Sequence, residues 1–243
     1  MDRSIYDAMA AQDSTHWWYV ARRDVLHDLI ARRVKLPTGA RILEIGCGTG
    51  HNLAMLERFG SVEAVELDEA ARGVATQRFG PVVSDARLPE LQGIGEGCYD
   101  LVALLDVLEH VEDDVAALRA IARRLKPGGT IVLTVPQHGW LWSGHDVANH
   151  HFRRYSKAGL RTAIGAAGLK LDLMTSFNSL LFPLAAADRV AARVRGREGS
   201  ADAAPAPVVN GLFRRIFGLE RHLVGRVPMP PGVSLAALLS KHS

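Results

Sequence analysis

Apolar and polar positions follow two rhythms along the middle of the chain. Arg41 to Ile45 is a short, nearly continuous apolar run, the pattern of a strand buried on both faces. Leu53, Leu56 and Phe59 follow at helical spacing. Val62 to Glu66 predicts a second strand and Glu69 to Phe79 a second helix. Pro81 to Ser84 predicts a third strand, and Asp100 to Leu104 a fourth. Val115, Leu118, Ala122 and Leu125 recur at steps of three and four, with Asp113 and Asp114 at the positive end of that helix. Pro127-Gly128-Gly129 is expected to stop it before a fifth strand, Thr130 to Val135. Alternating strands and helices predict an α/β fold, a doubly wound, mostly parallel sheet with helices on both faces.

The ends depart from this rhythm. Residues 1–40 read as a helical cap, with Val25, Leu26, Leu29 and Ile30 on one face. Residues 137–177 hold a histidine- and aromatic-rich stretch, a helix near 156–167 and a strand near 169–177. Residues 178–231 hold two amphipathic helices around a Gly/Ala/Pro-rich linker, Gly196 to Pro207, expected to be mobile. Val233 to Leu239, within the closing segment 232–243, reads as the last strand. The expectation is one domain over residues 1–243, with its sheet core at 41–136.

Composition narrows the class. The 243 residues are 48% hydrophobic and 23% charged, too apolar for a disordered chain. Two cysteines, Cys47 and Cys98, make neither a disulfide framework nor a metal quartet. The N-terminus lacks a secretory pattern, and the longest apolar run, Leu180 to Ala187, is far short of the ~20 residues that span a bilayer. A cytoplasmic protein is expected. The formal charge of +3 permits an anionic partner without demanding one.

The chemistry starts where the first strand ends. Ile42-Leu43-Glu44-Ile45-Gly46-Cys47-Gly48-Thr49-Gly50 places three glycines at alternate positions before a helix. Without a β-carbon, such backbone can approach a ligand closely. A dinucleotide fingerprint needs glycine where His51 stands, and a P-loop needs Lys-Ser/Thr after Gly50; both patterns fail. This argues against a nucleotide-cofactor oxidoreductase.

Glu44 to Gly50 resembles the first motif of class I S-adenosylmethionine (SAM) dependent methyltransferases. The resemblance continues in order through Val65-Glu66-Leu67-Asp68, Ser84-Asp85-Ala86, Tyr99 to Val102 with Leu108-Glu109-His110-Val111, and Leu125 to Gly129. It covers residues 40–136 in detail and is similar to the ubiquinone/menaquinone-biosynthesis-like, small-molecule group. It implies a Rossmann-like sheet of about seven strands with an antiparallel last strand. It implies SAM as cofactor and S-adenosylhomocysteine (SAH) as product. Glu66 would bind the ribose hydroxyls and Asp85 the adenine amine, with Leu67 and Ala86 around the ring. Gly46, Cys47, Gly48 and Gly50 would form the loop against the cofactor. Glu44 and Asn52 would anchor it, with Leu105 beside them. Trp18 and Arg22, in the cluster His16-Trp17-Trp18, would belong to an N-terminal lid.

A hydroxyl acceptor needs a base. Residues 140–155 leave the carboxyl edge of the sheet, where an acceptor is expected, and carry His145, His150 and His151 as candidates. Trp142 and Tyr155 would wall the pocket, Arg154 would hold an anionic group, and Asp106 and His110 would line it. Asp106, Glu109 and His110 share a helical face at i, i+3 and i+4, yet no metal is expected there. The segment after the fourth strand, Leu105-Asp106-Val107-Leu108, lacks the Asn/Asp-Pro-Pro-aromatic motif of exocyclic-amine nucleic-acid methyltransferases, and neither cysteine follows proline. A small-molecule acceptor is therefore expected, and no nucleic acid. O-methylation is the first reading, N-methylation the second, and a non-catalytic SAM-binding protein the third. Arginines from Arg189 to Arg226 alternate with apolar residues and leave a membrane-surface face, a pocket cover or a dimer interface open. Monomer and homodimer both remain open.

Overall fold

Each strand is followed by a helix that must bury one stripe of apolar residues, and the sheet offers two faces for this. The computed structural model describes residues 3–195 and 205–242. Its helices are α1 (Arg3–Gln12), α2 (Trp17–Arg33), α3 (Leu53–Leu56), α4 (Glu69–Phe79), α5 (Asp114–Arg124), α6 (Gly144–Ala148), α7 (Lys157–Ala166), α8 (Phe182–Val194) and α9 (Pro207–Gly218). Its strands are β1 (Arg41–Ile45), β2 (Ser61–Val65), β3 (Val83–Ser84), β4 (Tyr99–Leu105), β5 (Leu125–Pro136), β6 (Leu169–Phe177) and β7 (Ser234–Lys241). They form one seven-stranded sheet in the order β3-β2-β1-β4-β5-β7-β6. Pairs from β3 to β5 are parallel, and β7 runs antiparallel to both β5 and β6.

Two apolar layers sandwich the sheet. On one face Ala21, Val25, Leu29 and Ile30 of α2 and Phe217 of α9 pack against Ile42, Leu101, Val132 and Ala236. On the other, Leu118 and Ile121 of α5 and Leu160 and Ile164 of α7 pack against Leu43, Val102, Leu133 and Ala237. Both faces are used because alternate residues of each strand point to opposite sides. Asp113 caps α5 by accepting from the Ala116 N–H, a contact worth about 1 kcal/mol.

The structure corrects one boundary in particular. Pro127-Gly128-Gly129 does not stop α5; the helix ends at Arg124, and β5 begins at once with Leu125. The Pro-Gly-Gly triplet lies inside β5, opposite an irregularity between Tyr99 and Leu101. Gly129 is required there, because a β-carbon would lie 2.9 Å from the Tyr99 carbonyl oxygen. The third strand is two residues long rather than four. The linker Gly196 to Pro207 falls largely outside the described residues; Pro207 itself opens α9. No helix among the described residues is long and apolar enough to cross a membrane.

Candidate active site

The strand order reverses direction between β1 and β4, so a crevice opens at the carboxyl ends of these neighbours. The glycine loop stands at this point. Gly46, Gly48 and Gly50 all have positive φ. A β-carbon on Gly46 would come within 2.6 Å of the Val107 side chain. The loop is tied to β2, since the N–H groups of Gly46 and Cys47 both donate to the Val65 carbonyl.

Glu66 binds the two turns together. Its Oε2 accepts from the Gly48 N–H at 2.7 Å and its Oε1 from the Asp68 N–H at 2.8 Å. Burial pushes its pKa up, against those backbone hydrogen bonds. Leu67, at 50% exposure, and the exposed Asp85 border the same edge, while Ala86 is buried. Glu44 is fully buried and accepts from Asn52 Nδ2 at 2.8 Å. Burial raises its pKa to about 7. Glu44 Oε2 and Asn52 Oδ1 have no partner. Cys47 is buried beneath the loop, and burial raises its thiol pKa.

Helix α1 covers the loop. The sulfur of Met9 lies 3.2 Å from where a Gly48 β-carbon would stand. Tyr6 is held in its neutral form by burial and by the nearby Glu66 and Asp68 charges. Arg78 clasps the arrangement: it pairs with Asp13 at 2.5 Å and donates to the carbonyls of Thr49 and Ala10.

Arg22 lies deeper than a lid residue would. It is 1% exposed and donates to Asp106 Oδ2 at 2.6 Å and Thr134 Oγ1 at 2.8 Å, with Trp18 stacked on it. It fixes Asp106, a non-glycine residue at φ +59 just past β4. His138 and Asn178, just past β5 and β6, also take positive φ. Backbone strain thus gathers along the carboxyl edge, as it does at functional sites. Leu105, the last residue of β4, is 7% exposed.

The histidine loop forms a second polar cluster. Asp146 is fully buried in α6. Its Oδ1 takes His151 Nδ1 at 2.9 Å and Arg154 Nε at 2.7 Å; its Oδ2 accepts from the Ser143 N–H at 2.9 Å. Burial alone would raise its pKa, but the bonds from His151 and Arg154 hold the carboxyl well below the usual range. The His110 ring sits edge-on to His151 at 4.6 Å, and burial with the neighbouring His151 lowers its pKa to about 4. His145 lies 6.1 Å from His151 and contacts Asn149. His150 is exposed.

These contacts sort the sequence-derived residues. His110, His145 and His151 come together, and His150 is exposed. Arg154 is spent on Asp146 and on the Gln137 carbonyl, and Tyr155 donates to Asp114 from within the core. Trp142 is half-buried just ahead of α6. Sequence reasoning missed Asp146, although Ser143 and Asp146 three residues apart form a capping box readable from the chain.

The metal question takes a new form. Glu109, His110 and His151, rather than Asp106, Glu109 and His110, bring ligand atoms within 4.8 Å of one another. Burial and the Asp106 charge push the Glu109 pKa well up, and His151 Nδ1 is committed to Asp146. Within the trio His110 and His151 meet ring to ring, and Glu109 Oε2 is buried without a hydrogen-bond partner.

Known proteins share this fold and motif order. Residues 17–173, more than half the chain, match the model of the methyltransferase-domain family. A ubiquinone biosynthesis O-methyltransferase of Xanthomonas campestris pv. campestris is 35% identical over 136 residues, 53% of this chain and 54% of that protein. Its counterpart in Pseudomonas aeruginosa is 34% identical over 133 residues, 49% of this chain and 57% of that protein. The chain spans about half the length of the curated relatives it matches. A SAM-dependent methyltransferase from Archaeoglobus fulgidus shares the fold with a TM-score of 0.56 at 18% identity, covering 90% of this chain and 94% of that one. With its glycine loop, its carboxyl-edge acids and this family match, the chain belongs to the class I SAM-dependent methyltransferases.

Proposed function

We propose that the protein methylates a hydroxyl group on a small-molecule acceptor, with His151 as base and Asp146 as the residue that positions it. The reading treats residues 1–243 as one methyltransferase domain. The observation that carries it is the Asp146–His151 pair at the carboxyl edge. An ionised Asp146 requires the proton on His151 Nδ1, which leaves Nε2 free to accept one. The O-methyltransferases among the relatives support the same reaction type.

The residues present fit SAM. Glu44 Oε2 and Asn52 Oδ1 are buried acceptors without partners. When bound, SAM supplies a methyl group on a sulfonium, open to in-line displacement, and leaves as SAH. Glu66 would accept from the ribose hydroxyls with the lone pairs that Gly48 and Asp68 do not use. Asp85 would accept from the adenine amine, between Leu67 and Ala86. Gly46, Cys47, Gly48 and Gly50 would line the loop, and Glu44, Asn52 and Leu105 would back it. Trp18 and Arg22 would act through Asp106 rather than on the cofactor, because Arg22 is buried against that carboxylate. Asp106, His110 and Trp142 would border the acceptor, and Arg154 would hold Asp146.

The test uses methyl-labelled SAM with lipid-soluble and water-soluble extracts, followed by phase partition. Label on a hydroxyl oxygen, lost about a hundredfold in His151→Ala while SAH affinity holds, is the expected result. Methylated nitrogen as the product, or full activity of His151→Ala, would overturn the reading.

A further inference from the structure

Beyond the glycine loop the sheet continues through β5, β7 and β6. Just past these strands the chain buries polar atoms that it does not pair. The Gln137 N–H donates to the Val233 carbonyl at 2.8 Å, and the Val233 N–H donates to the Asn178 carbonyl at 3.3 Å. Gln137 and Asn178 thus flank Val233, two strand spacings or about 10 Å apart. They are 4% and 3% exposed. Gln137 Oε1 and Asn178 Oδ1 are buried without a hydrogen-bond partner among the described residues, and so is Ser176 Oγ on β6. A buried carboxamide oxygen that has left water and gained no donor destabilises a fold. Two of them on either side of one residue point to a ligand that supplies the donors.

The surroundings tie this pair to the Asp146–His151 pair. Arg154 donates to the Gln137 carbonyl through Nη1 and to Asp146 through Nε, and Asp146 holds His151. On the other side, Glu220 Oε1 accepts from the N–H groups of Ser179 and Leu180 at 2.6 and 2.8 Å. It fixes the turn that carries Asn178 at φ +54. Both carboxamides are therefore positioned by backbone contacts that leave their oxygens unused, the preorganisation a recognition site needs. Charge narrows the ligand. Amide oxygens repel an anion. Burial, with the Arg154 and Lys157 charges, lowers the pKa of the adjacent His138, and the same two charges disfavour a cation there. A neutral group with O–H or N–H donors meets both conditions.

We infer that Gln137 and Asn178 determine acceptor specificity by accepting hydrogen bonds from a neutral hydroxyl or amide group that the acceptor carries besides the atom it methylates. The inference rests on the reading of this edge as the acceptor site. It does not depend on which atom is methylated or on which residue is the base.

Two variants of the full chain test it. Gln137→Met keeps the length of the side chain and removes the carboxamide. Asn178→Gly removes the other and tolerates the positive φ. Each is compared with the parent by thermal melt, by SAH titration, and by initial rates with methyl-labelled SAM against a dilution series of the cell-extract fraction that takes up label. Gln137→Met should melt no lower than the parent, because it loses a buried oxygen that had no donor. In both variants SAH affinity should stay within twofold and the maximal rate within threefold. The amount of extract giving half the maximal rate should rise at least tenfold. A lower melting temperature for Gln137→Met would show the carboxamide bonded within the protein and overturn the inference. Half-saturation within twofold of the parent in both variants would leave water as the occupant and also overturn it. So would a lower maximal rate at unchanged half-saturation. If the half-saturation shifts appear while label is found on nitrogen, or while His151→Ala keeps full activity, the hydroxyl-methylation reading falls and the specificity assignment stands.

Discussion

Glu66 offers the sharpest test of the cofactor assignment, because the same carboxylate does two jobs. It joins the glycine loop to the turn after β2 through two backbone hydrogen bonds, and it is proposed to receive the ribose hydroxyls. Glu66→Gln keeps the shape. It turns an amide N–H toward one of the backbone N–H groups, so one of the two bonds is lost. A hydrogen bond to a charged group contributes about 1.5–3 kcal/mol. Part of that loss is recovered, since the neutral amide avoids the burial cost that raises the Glu66 pKa. A net destabilisation of about 1–2 kcal/mol follows, a fall of about 2–8 °C in Tm for a chain of this size. The ribose side loses one charged bond as well, weakening SAH by about tenfold to a hundredfold at 1.4 kcal/mol per decade. Titration calorimetry with SAH and a thermal melt read the two effects separately. Asp85→Asn is the matched control: Asp85 is exposed and makes no hydrogen bond among the described residues, so affinity should fall while Tm holds. If Glu66→Gln lowers Tm yet binds SAH within twofold of the parent, the carboxylate is structural and the ribose assignment is wrong.

Three further predictions follow from the same geometry. Asp146→Asn leaves the buried Arg154 without its counter-charge, which should cost about 3 kcal/mol or about 6–12 °C in Tm. It should also lower kcat about as much as His151→Ala, and the double variant should be no worse; additive losses would separate the two residues. In the parent, the Asp146 contribution is present above the ordinary aspartate pKa and lost only as pH falls through its depressed folded value, so acid unfolding should begin earlier in Asp146→Asn if pairing is as described. Glu44 has the opposite sign: its folded pKa of about 7 lies above the unfolded 4.5, so its contribution is full below 4.5 and falls by about 3 kcal/mol as pH rises through 7. Glu44→Gln should remove that slope in urea titrations, and parallel curves for the two proteins would refute it. Arg78→Ala unfastens α1 from the glycine loop and should raise the SAH dissociation rate about fivefold or more by stopped flow, as expected for a residue that spends charged bonds on Asp13 and Thr49; an unchanged rate would leave α1 without a role over the cofactor.

What the chain discloses in advance depends on how local the cause is. The limits of β1, α4 and β6 can be read from apolar spacing because each element's own residues decide them. The Pro-Gly-Gly triplet misleads because its conformation is set by Tyr99 on the neighbouring strand, a contact of long sequence separation. The same distinction divides the site. Glu44, Glu66 and the glycines stand in one contiguous motif, so their placement at the crevice is legible. Arg22 reads as a lid residue until the fold carries it 84 positions along the chain to Asp106. Arg154 reads as a free cation, and only the buried Asp146 shows where its charge goes. A sequence states the sign of a charge and leaves its partner open. In the histidine loop the partner decides the chemistry: His151 has a buried carboxylate on Nδ1 that fixes its tautomer and leaves Nε2 to take a proton. Helix α8 presents the converse. Its apolar spacing is legible and leaves a membrane-surface face, a pocket cover or a dimer interface open; the fold turns that face outward, because the contacts that hold it run through Phe182 and Arg193. A periodic stripe shows that a helix has something to bury. Only the topology shows whether the chain itself supplies the cover, and among the described residues no side chain of α8 is buried.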